Sequence, residues 1–392
     1  MASKPIVVTQ PVTQRGRSVT RLLPAGFGAV PTGFRRERIV SSPQFRDGRF
    51  ENTKPVDSPM KHGQFWSTTR EYFFGAPGVE RRPSRPLPVE SPLPGWAVPP
   101  ASGLRVTWLG HSTTLLEIDG LRILTDPVWG ERISPVTFVG PRRFHPAPVP
   151  IEHLPRLDAI LVSHDHFDHL DHTAIRALAK LDAPFVTSLG VGAHLEAWGV
   201  SSARIHELDW WDSLSLGGVR FHATPARHFS GRGFGTTIAT LWSSWTIETA
   251  RHRVFFSGDT GLTPEFGDVG KRLGPFDLVM LEVGAYHPAW GSIHLGPDNA
   301  FVAHQLLGGG LLMPVHWGTF DLALHAWDQP VERLVARAEA TGVRLVTPRL
   351  GRPVEPVRVE RVDPWWRDVK HAPERVQREL VAPVTDDRAP LV

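Results

Sequence analysis

Residues 164–169 carry an unusual density of groups that bind metal ions, in the order His-Asp-His-Phe-Asp-His. Three imidazoles and two carboxylates in so short a stretch cost desolvation and like-charge repulsion unless a cation compensates. Such groups suit a divalent ion, most often zinc. Because the chain contains no cysteine, the metal ligands must be His, Asp or Glu. A solvated histidine-rich loop is the alternative, and the polar residues downstream make it the weaker one.

The segment 164–169 lies between a predicted strand and a predicted helix. Residues 158–163 form a short apolar run, typical of a buried strand, and residues 173–181 combine good helix formers with helical spacing of apolar side chains. The motif is therefore predicted on a strand-to-helix loop at the end of a sheet, where open sheets place their functional sites.

Four further polar residues each follow a predicted strand, namely His228, Asp259, His316 and Asp126. His228 lies in a glycine-rich loop, and Asp259 lies in the turn Ser-Gly-Asp-Thr-Gly. We expect His228, Asp259 and His316 to converge with the motif on one site. The carboxylate of Asp126 either orients a metal-bound histidine or caps a turn.

The pattern along the chain is strands first, then strands that alternate with helices. Strands are predicted over residues 104–109, 113–118, 121–125, 158–163, 184–187, 204–208, 219–224, 238–247, 253–256, 276–283, 311–318 and 343–346. Helices are predicted over residues 173–181, 298–307 and 330–340. This pattern indicates the α/β (α+β) class, and periodicity alone does not arrange the elements further.

Composition divides the 392 residues into three parts. Residues 1–100 are predicted to be an irregular extension, rich in Pro, Arg and aromatic residues, that packs on the main domain. Residues 101–360 are predicted to form that domain, and residues 361–392 a C-terminal tail. Phe45 and Phe50 could pin the extension to the surface of the main domain. A second aromatic group forms either a membrane-facing collar or a strap packed inward, and we favour the strap. This group consists of Phe65, Trp66, Tyr72, Phe73 and Phe74.

Charge and hydropathy disfavour several classes of protein. The formal net charge is only +3, so no nucleic-acid partner is expected. The sequence has no apolar run of about 18 residues that would predict a transmembrane helix. It also lacks an apolar segment typical of a secretory signal near its first residue. We therefore expect a cytoplasmic protein.

The motif at 164–169, His228, the Ser-Gly-Asp-Thr-Gly turn and His316, in this order, resemble the signature of the metallo-β-lactamase superfamily. The resemblance covers roughly residues 104–350 and implies an αββα sandwich of two mixed sheets flanked by helices. It also implies two metal sites, with His164, His166 and His228 on the first ion, Asp168, His169 and His316 on the second, and Asp259 as the bridge.

Two zinc ions are the cofactors that this resemblance implies, with iron or manganese as alternatives in either site. Such a pair makes a bridging hydroxide available near neutral pH and neutralises charge on substrate oxygens. His166 stands where oxygen-reducing diiron members of the superfamily typically carry a carboxylate, which favours hydrolysis over redox chemistry.

Further segments resemble the branch of phospholipases D that hydrolyse N-acylphosphatidylethanolamine, together with its bacterial relatives. These segments are Leu-Gly-His-Ser-Thr at 109–113, Leu-Thr-Asp-Pro at 124–127, Gly-Pro-Arg-Arg-Phe at 140–144, Gly-Ala-Tyr at 284–286 and His-Trp-Gly-Thr-Phe at 316–320. Enzymes of this branch cleave a phosphodiester bond of a membrane lipid.

The branch implies roles for individual residues of this chain. His294 and Phe167 match positions that contact substrate, and His294 is also a candidate proton donor to the leaving group. His111 either contacts substrate, orients a ligand or makes a structural hydrogen bond, and Asp126 matches an aspartate that supports the metal site. The chain departs from the branch at Phe167, where tyrosine is typical, and at His287, where glutamate is expected.

The sequence therefore predicts a dinuclear zinc-dependent phosphodiesterase of phospholipase D type that acts on N-acylphosphatidylethanolamine-like lipids. Peripheral membrane contact and a homodimer accompany this prediction. The alternatives are a lactonase or ester hydrolase acting on a soluble phosphorylated metabolite, and a non-catalytic binding protein stabilised by metal. An apolar groove built from Phe45, Phe50, Phe65, Trp66 and residues 134–148 would favour a lipid. A small polar pocket would favour a soluble metabolite.

Overall fold

The computed structural model describes residues 24–56, 70–71, 75, 78–233 and 239–371. Two β-sheets stacked between helices dominate this part of the chain. The strands are β1 Phe45–Arg46, β2 Arg49–Phe50, β3 Leu104–Gly110, β4 Thr113–Ile118, β5 Leu121–Thr125, β6 Ala159–Val162, β7 Phe185–Ser188, β8 Ile205–Leu208, β9 Ser213–Leu216, β10 Val219–Thr224, β11 Ser244–Glu248, β12 Arg253–Phe256, β13 Leu278–Glu282, β14 Leu311–Val315 and β15 Pro353–Val354. The α-helices are α1 Gly33–Ser41, α2 Leu93–Trp96, α3 His172–Leu178, α4 Gly192–Ala197, α5 Glu265–Leu273, α6 Gly296–Leu306, α7 Gln329–Thr341 and α8 Trp366–His371.

The first sheet has seven strands in the order β15-β3-β4-β5-β6-β7-β8. Strands β3, β4 and β5 form an antiparallel meander. Its second turn, Asp119-Gly120, has positive φ at both residues, 49° and 85°, as a type I′ hairpin requires. From β5 onward all neighbours are parallel, so β5 and β6 end at the same edge.

The second sheet has six strands in the order β14-β13-β12-β11-β10-β9. Strands β12, β13 and β14 are parallel, and the rest of the sheet is antiparallel. Since β10 and β12 both run antiparallel to β11, the strands β10, β12 and β14 all end at one edge of the sheet.

Alternating side chains of the central strands separate the layers. Ile160 and Val162 of β6 pack in a cluster with Leu178 of α3, whereas Leu161 packs in the cluster that includes Phe221 of the second sheet. Each such buried side chain stabilises the fold by about 1.5–3 kcal/mol. Helices α5, α6 and α7 contribute buried residues to the second cluster. The arrangement confirms the predicted αββα sandwich.

The described part of the N-terminal extension packs inward. Phe50 and Ile39 are 1% and 0% exposed and join a cluster with Trp210 and Trp242. This packing holds the described part of the extension against the main domain. The choice between a collar and a strap concerned the second aromatic group. Phe65 and Trp66 lie outside the described residues.

Two predicted strands differ from the structure. The strand predicted over 238–247 begins only at Ser244. Residue 238 lies outside the described residues, and the hydrogen bonds donated by the Thr240 hydroxyl and the Leu241 N–H go to Asp165 and Leu189. The strand predicted over 343–346 is a single bridge between Leu345 and Leu312. Nine described elements were not anticipated, namely β1, β2, β9, β15, α1, α2, α4, α5 and α8. Helix α1 buries only Ile39, so it carries no apolar period that would mark it.

Candidate metal centre

The centre forms where strands of both sheets end at one edge. Asp126 follows β5 directly, His164 follows β6 by two residues, and His316 follows β14 directly. Asp259 and His228 lie in the loops after β12 and β10. The structure thus brings together the strand-end residues that the sequence singled out.

The first group of donors consists of His164, His166, His228 and Asp259, whose donor atoms all lie within 4.8 Å of one another. His166 Nδ1 is 3.0 Å from His164 Nε2 and 3.2 Å from His228 Nε2. His228 Nδ1 lies 3.0 Å from the carbonyl oxygen of Ile293. Because that carbonyl can only accept, Nδ1 carries the proton and Nε2 is free to bind a metal.

The second group consists of Asp168, His169 and His316, with Asp259 between the two groups. His316 Nε2 is 3.2 Å from both Asp168 Oδ2 and Asp259 Oδ1. His169 Nε2 is 3.1 Å from Asp259 Oδ1. The other carboxylate oxygen of Asp259 is 3.7 Å from His228 Nε2, so this one side chain faces ligands of both groups.

The electrostatics of the centre call for positive charge beside its carboxylates. Burial lowers the pKa of His164 and His228 well below the ordinary value, so both imidazoles are neutral. Burial opposes ionisation of Asp259 as well, but His169 and His316 outweigh it and hold its pKa well below the ordinary range. Conversely, Asp259 and its neighbouring acids overcome burial and raise the pKa of His316 to about 10.

A divalent ion fits both groups. Several of their buried donor atoms, among them His169 Nε2 and Asp259 Oδ1, have no hydrogen-bond partner in the described structure. Buried nitrogen and oxygen atoms without a hydrogen-bond partner are costly unless another group, such as a metal ion, binds them. Neutral imidazoles with carboxylates are a zinc-type donor set, and such ions supply the positive charge that the carboxylates require.

Asp126 and Ser163 support ligands of both groups from behind. Asp126 Oδ2 accepts hydrogen bonds from His169 Nδ1 at 2.6 Å and from Ser163 Oγ at 2.7 Å. Ser163 Oγ in turn lies 2.9 Å from His164 Nδ1. Asp126 is 0% exposed, so it acts through the histidines rather than on a substrate. Of the two roles considered for it, the structure favours orienting a ligand.

We expect Asp126→Asn to weaken binding at both metal groups by about 10–100-fold, the usual effect of losing a partner that orients a ligand. The amide removes the negative charge. Because its remaining oxygen can accept from the Ser163 N–H, its NH2 group takes the place of Oδ2, which accepts from His169 Nδ1 and Ser163 Oγ and so fixes the tautomers of His169 and, through Ser163, of His164. Competition with a chromogenic chelator measures the two affinities. Ser163→Ala is the matched comparison and should affect only the group of His164. Wild-type affinities in Asp126→Asn would contradict this role.

Backbone strain accompanies the strand ends. His111, Asp126, Ala285 and His316 all have positive φ, at 54°, 34°, 53° and 63°, which costs about 1–3 kcal/mol each. A Cβ atom at Gly284 would lie 2.0 Å from the carbonyl oxygen of His316. The glycine of Gly-Ala-Tyr therefore allows the backbone after β13 to approach the end of β14.

His294 lies beside the second group. Its Nδ1 is 3.3 Å from Glu282 Oε1 and 4.0 Å from Asp259 Oδ2. Burial opposes the charged imidazole, but Glu282 and Asp259 outweigh it and raise the pKa of His294. Glu282 is 0% exposed and also accepts from the backbone N–H of Leu295 at 2.8 Å. The sequence analysis missed Glu282, although a lone acid in an apolar strand was the available signal.

The remaining predicted substrate residues lie away from the cavity described below. His111 is 2% exposed, and its Nε2 is 3.0 Å from Asp168 Oδ2, which matches the role of orienting a ligand. The Phe167 ring lies 4.2 Å from the guanidinium carbon of Arg232 and does not line the cavity in the described structure. His287 accepts from the N–H of Ala289 and so caps a short turn.

A second network that the sequence analysis missed ties the N-terminal extension to the motif loop. His194 Nε2 donates to Asp165 Oδ2 at 3.3 Å, and its Nδ1 accepts from the N–H of Ala29 at 3.0 Å. Buried Arg232 donates to the carbonyl oxygens of Asp165 and Gly26. No local pattern marks these residues, because their partners are distant in sequence.

A cavity of about 810 Å³ opens beside the donors. Its lining residues are Arg49, Phe50, Glu51, Asn52, Pro55, Val56, His166, Asp168, His228, Phe229, Trp242, Asp259, Ala285, Trp290, Ile293, His294, His316 and Leu322. Polar groups thus gather at the metal donors and at one stretch of the extension, and apolar side chains form the remaining walls. The sequence analysis anticipated Phe50 here, and the loop 134–148 does not contribute.

Comparisons with known proteins agree with this geometry. A family model described as a beta-lactamase superfamily domain matches residues 121–317. The chain is 46% identical to an uncharacterized protein of Mycobacterium tuberculosis, over 88% of this chain and 92% of that protein. It is 32% identical to N-acyl-phosphatidylethanolamine-hydrolyzing phospholipase D 1 of Caenorhabditis elegans, over 80% of this chain and 96% of that protein. A solved structure of a possible metal-dependent hydrolase from Veillonella parvula shares the fold, with a TM-score of 0.53, 19% identity and coverage of 64% and 98%.

The chain belongs to the metallo-β-lactamase superfamily. It is a metal-dependent hydrolase of that superfamily, similar to phospholipases D that hydrolyse N-acylphosphatidylethanolamine, as the sequence predicted. Across the described residues, every helix is too short or too polar to cross a membrane.

Proposed function

We propose that the protein is a dinuclear zinc-dependent phosphodiesterase of phospholipase D type that acts on N-acylphosphatidylethanolamine-like lipids. The observation that carries the proposal is the convergence of two adjoining donor groups beside one cavity. The groups consist of His164, His166, Asp168, His169, His228, Asp259 and His316. Of these residues, His166, Asp168, His228, Asp259 and His316 line the cavity, whose other walls are largely apolar. The likeness to the Caenorhabditis elegans phospholipase D supports the choice of substrate.

The cavity has two chemically different parts, which suits an amphipathic diester. Two divalent ions bound by the donors would activate water and neutralise charge on the phosphate oxygens. Phe50, Trp242, Trp290 and Leu322 offer apolar surface for acyl chains on the remaining walls. A volume of about 810 Å³ lies within the usual range for sites that bury most of a ligand.

His294 lies where a leaving group can receive a proton. It is 12% exposed, lines the cavity and has Nδ1 directed toward Glu282, which leaves Nε2 for the substrate. We assign it protonation of the leaving alkoxide, while Asp126 and His111 hold the ligand side chains in place.

Metal analysis combined with diester hydrolysis tests the proposal. We expect about two divalent ions per purified chain, as in other two-metal hydrolases, and cleavage of bis(p-nitrophenyl) phosphate that a chelator abolishes and added zinc restores. N-acylphosphatidylethanolamine in mixed micelles should then yield phosphatidic acid.

Other outcomes contradict the proposal in different ways. Bound metal without diester cleavage would move the function to lactones and carboxylic esters of soluble metabolites. A purified protein that holds no metal and takes up no added zinc would contradict the proposal that these residues form a metal centre. Metal binding without turnover of diesters, lactones or esters would leave a metal-stabilised binding protein.

Membrane contact and assembly belong to the same proposal. In the loop 134–148, Phe138 and Val139 are 77% and 54% exposed, while Ile133 is buried at 8% exposure. We propose that the two exposed side chains reach a lipid surface, which sedimentation with anionic vesicles measures.

A homodimer is proposed from the resemblance alone, and light scattering measures it.

A further inference from the structure

One side chain of the N-terminal extension holds the backbone of a metal ligand. Asn52 Oδ1 accepts the N–H of His228 at 3.0 Å, and Asn52 Nδ2 donates to the carbonyl oxygen of His228 at 2.8 Å. Oδ1 also accepts from Trp242 Nε1 at 3.0 Å. Two donors facing one atom and an acceptor facing the other fix the orientation of the amide.

This pairing replaces a strand neighbour that His228 lacks. β10 ends at Thr224, so His228 lies in the loop beyond the ladder. Its backbone N–H and C=O both bond to the Asn52 side chain, as they would to the peptide group of an adjacent strand. A buried backbone group left without a partner is costly, so loss of the Asn52 amide would favour a shift of this loop.

The ring of His228 depends on where this backbone lies. The proton on Nδ1 meets the Ile293 carbonyl at 3.0 Å, and Nε2 lies 3.2 Å from His166 Nδ1. Because each ring nitrogen already has a specific neighbour, a shift of the backbone would move the ring away from the Ile293 carbonyl or from His166. Residue 52 therefore controls the geometry of a donor although it is 176 positions away in the sequence.

Asn52 also belongs to the cavity wall. Residues 49–52, together with Pro55 and Val56, line the cavity, and Phe50 anchors them in a buried cluster. The wall and the first metal group are thus joined through one amide.

We propose that Asn52 is a positioning residue, which fixes His228 for metal binding and couples the substrate wall to the first metal group. The role requires that the donors bind metal, and it does not depend on the identity of the substrate.

The test uses Asn52→Leu, which keeps the volume and removes the amide, and Asn52→Asp, which can accept from the His228 N–H but cannot donate to its carbonyl. We expect Asn52→Leu to lower the affinity of the first metal group by about 10–100-fold and to leave the second group unchanged. Asn52→Asp should lie between Asn52→Leu and the wild type. Stepwise zinc titration against a competing chelator resolves the two affinities.

A second readout needs no metal. In the metal-free protein, hydrogen exchange at the His228 amide should be at least about tenfold faster in Asn52→Leu, since about 1.4 kcal/mol of lost protection is a tenfold change. Asp47→Asn is the matched control. Asp47 is an exposed acid in the turn between β1 and β2, five residues before Asn52. An Asn-Gly pair suits this turn as well as Asp-Gly does. The substitution should change neither the metal affinity nor the exchange rate of the His228 amide.

Wild-type affinity and exchange in both Asn52 variants would overturn the proposal, and so would equal loss at both metal groups. If Asn52→Leu does not fold, an Asn52→Asp variant that matches the wild type in both readouts overturns it. Zinc binding by a wild-type protein that cleaves no diester would contradict the proposed function and leave the role of Asn52 intact.

Discussion

Replacing Asp259 by alanine should abolish diester cleavage and loosen both metal ions. The carboxylate lies 3.1 Å from His169, 3.2 Å from His316 and 3.7 Å from His228, so it faces both groups. In the proposed centre Asp259 binds both ions directly. Its replacement should therefore lower metal affinity by more than the roughly 100-fold that removing a supporting partner can cause.

Metal content after dialysis and the rate of bis(p-nitrophenyl) phosphate cleavage measure this effect. Asp268→Ala, the same substitution at an exposed position of α5, should retain both metals and full activity. Circular dichroism of the metal-free proteins separates loss of fold from loss of metal. Two tightly bound ions in Asp259→Ala would show that another residue bridges the groups.

The residues of the two donor groups could be singled out because each lies at the end of, or in the loop after, a strand with a clear apolar pattern. β6, β12 and β14 were recognised from runs such as 253–256, and strands that end at one edge bring the residues after them together. The sequence could not predict the backbone at His316, which has a φ of 63° and whose carbonyl oxygen lies close to Gly284.

Long-range partners explain most of what the sequence did not reveal. Asn52 sits among residues with no period, and its partners His228 and Trp242 are 176 and 190 positions away. In the segment predicted as a strand before Ser244, the hydroxyl of Thr240 instead donates a hydrogen bond to Asp165 Oδ2 at 2.9 Å. A local pattern reports which face of an element is apolar, and it carries no information about which distant polar group that element meets.

The positions of the supporting residues have a common logic. Asp126 reaches His169 from the end of one sheet, Glu282 reaches His294 from the end of the other, and Asn52 reaches His228 from the N-terminal extension. Each contacts a histidine side chain or backbone, and each is distant from the others in the sequence. The geometry of the centre therefore depends on how the two sheets and the N-terminal extension pack together, although the donor residues themselves follow strand ends.

His294→Gln should lower turnover of diesters with alkyl leaving groups by about 10²–10⁴-fold, the usual contribution of a general acid, while both metals remain bound. The glutamine keeps most of the side-chain volume against Glu282 and has no proton of suitable acidity to give. Nitrophenolate departs without protonation, so bis(p-nitrophenyl) phosphate should lose far less activity than an alkyl diester.

The difference between the two substrates separates the roles open to His294. Equal losses on both substrates with full metal content would mean that His294 binds the phosphodiester and does not protonate the leaving group. Loss of one metal in His294→Gln would make the residue a ligand, since its donor atom lies in a group with Asp259, Glu282 and His316. Retained metal with a selective loss on the alkyl diester is the expected result, because Nδ1 already faces Glu282 at 3.3 Å and leaves Nε2 toward the cavity.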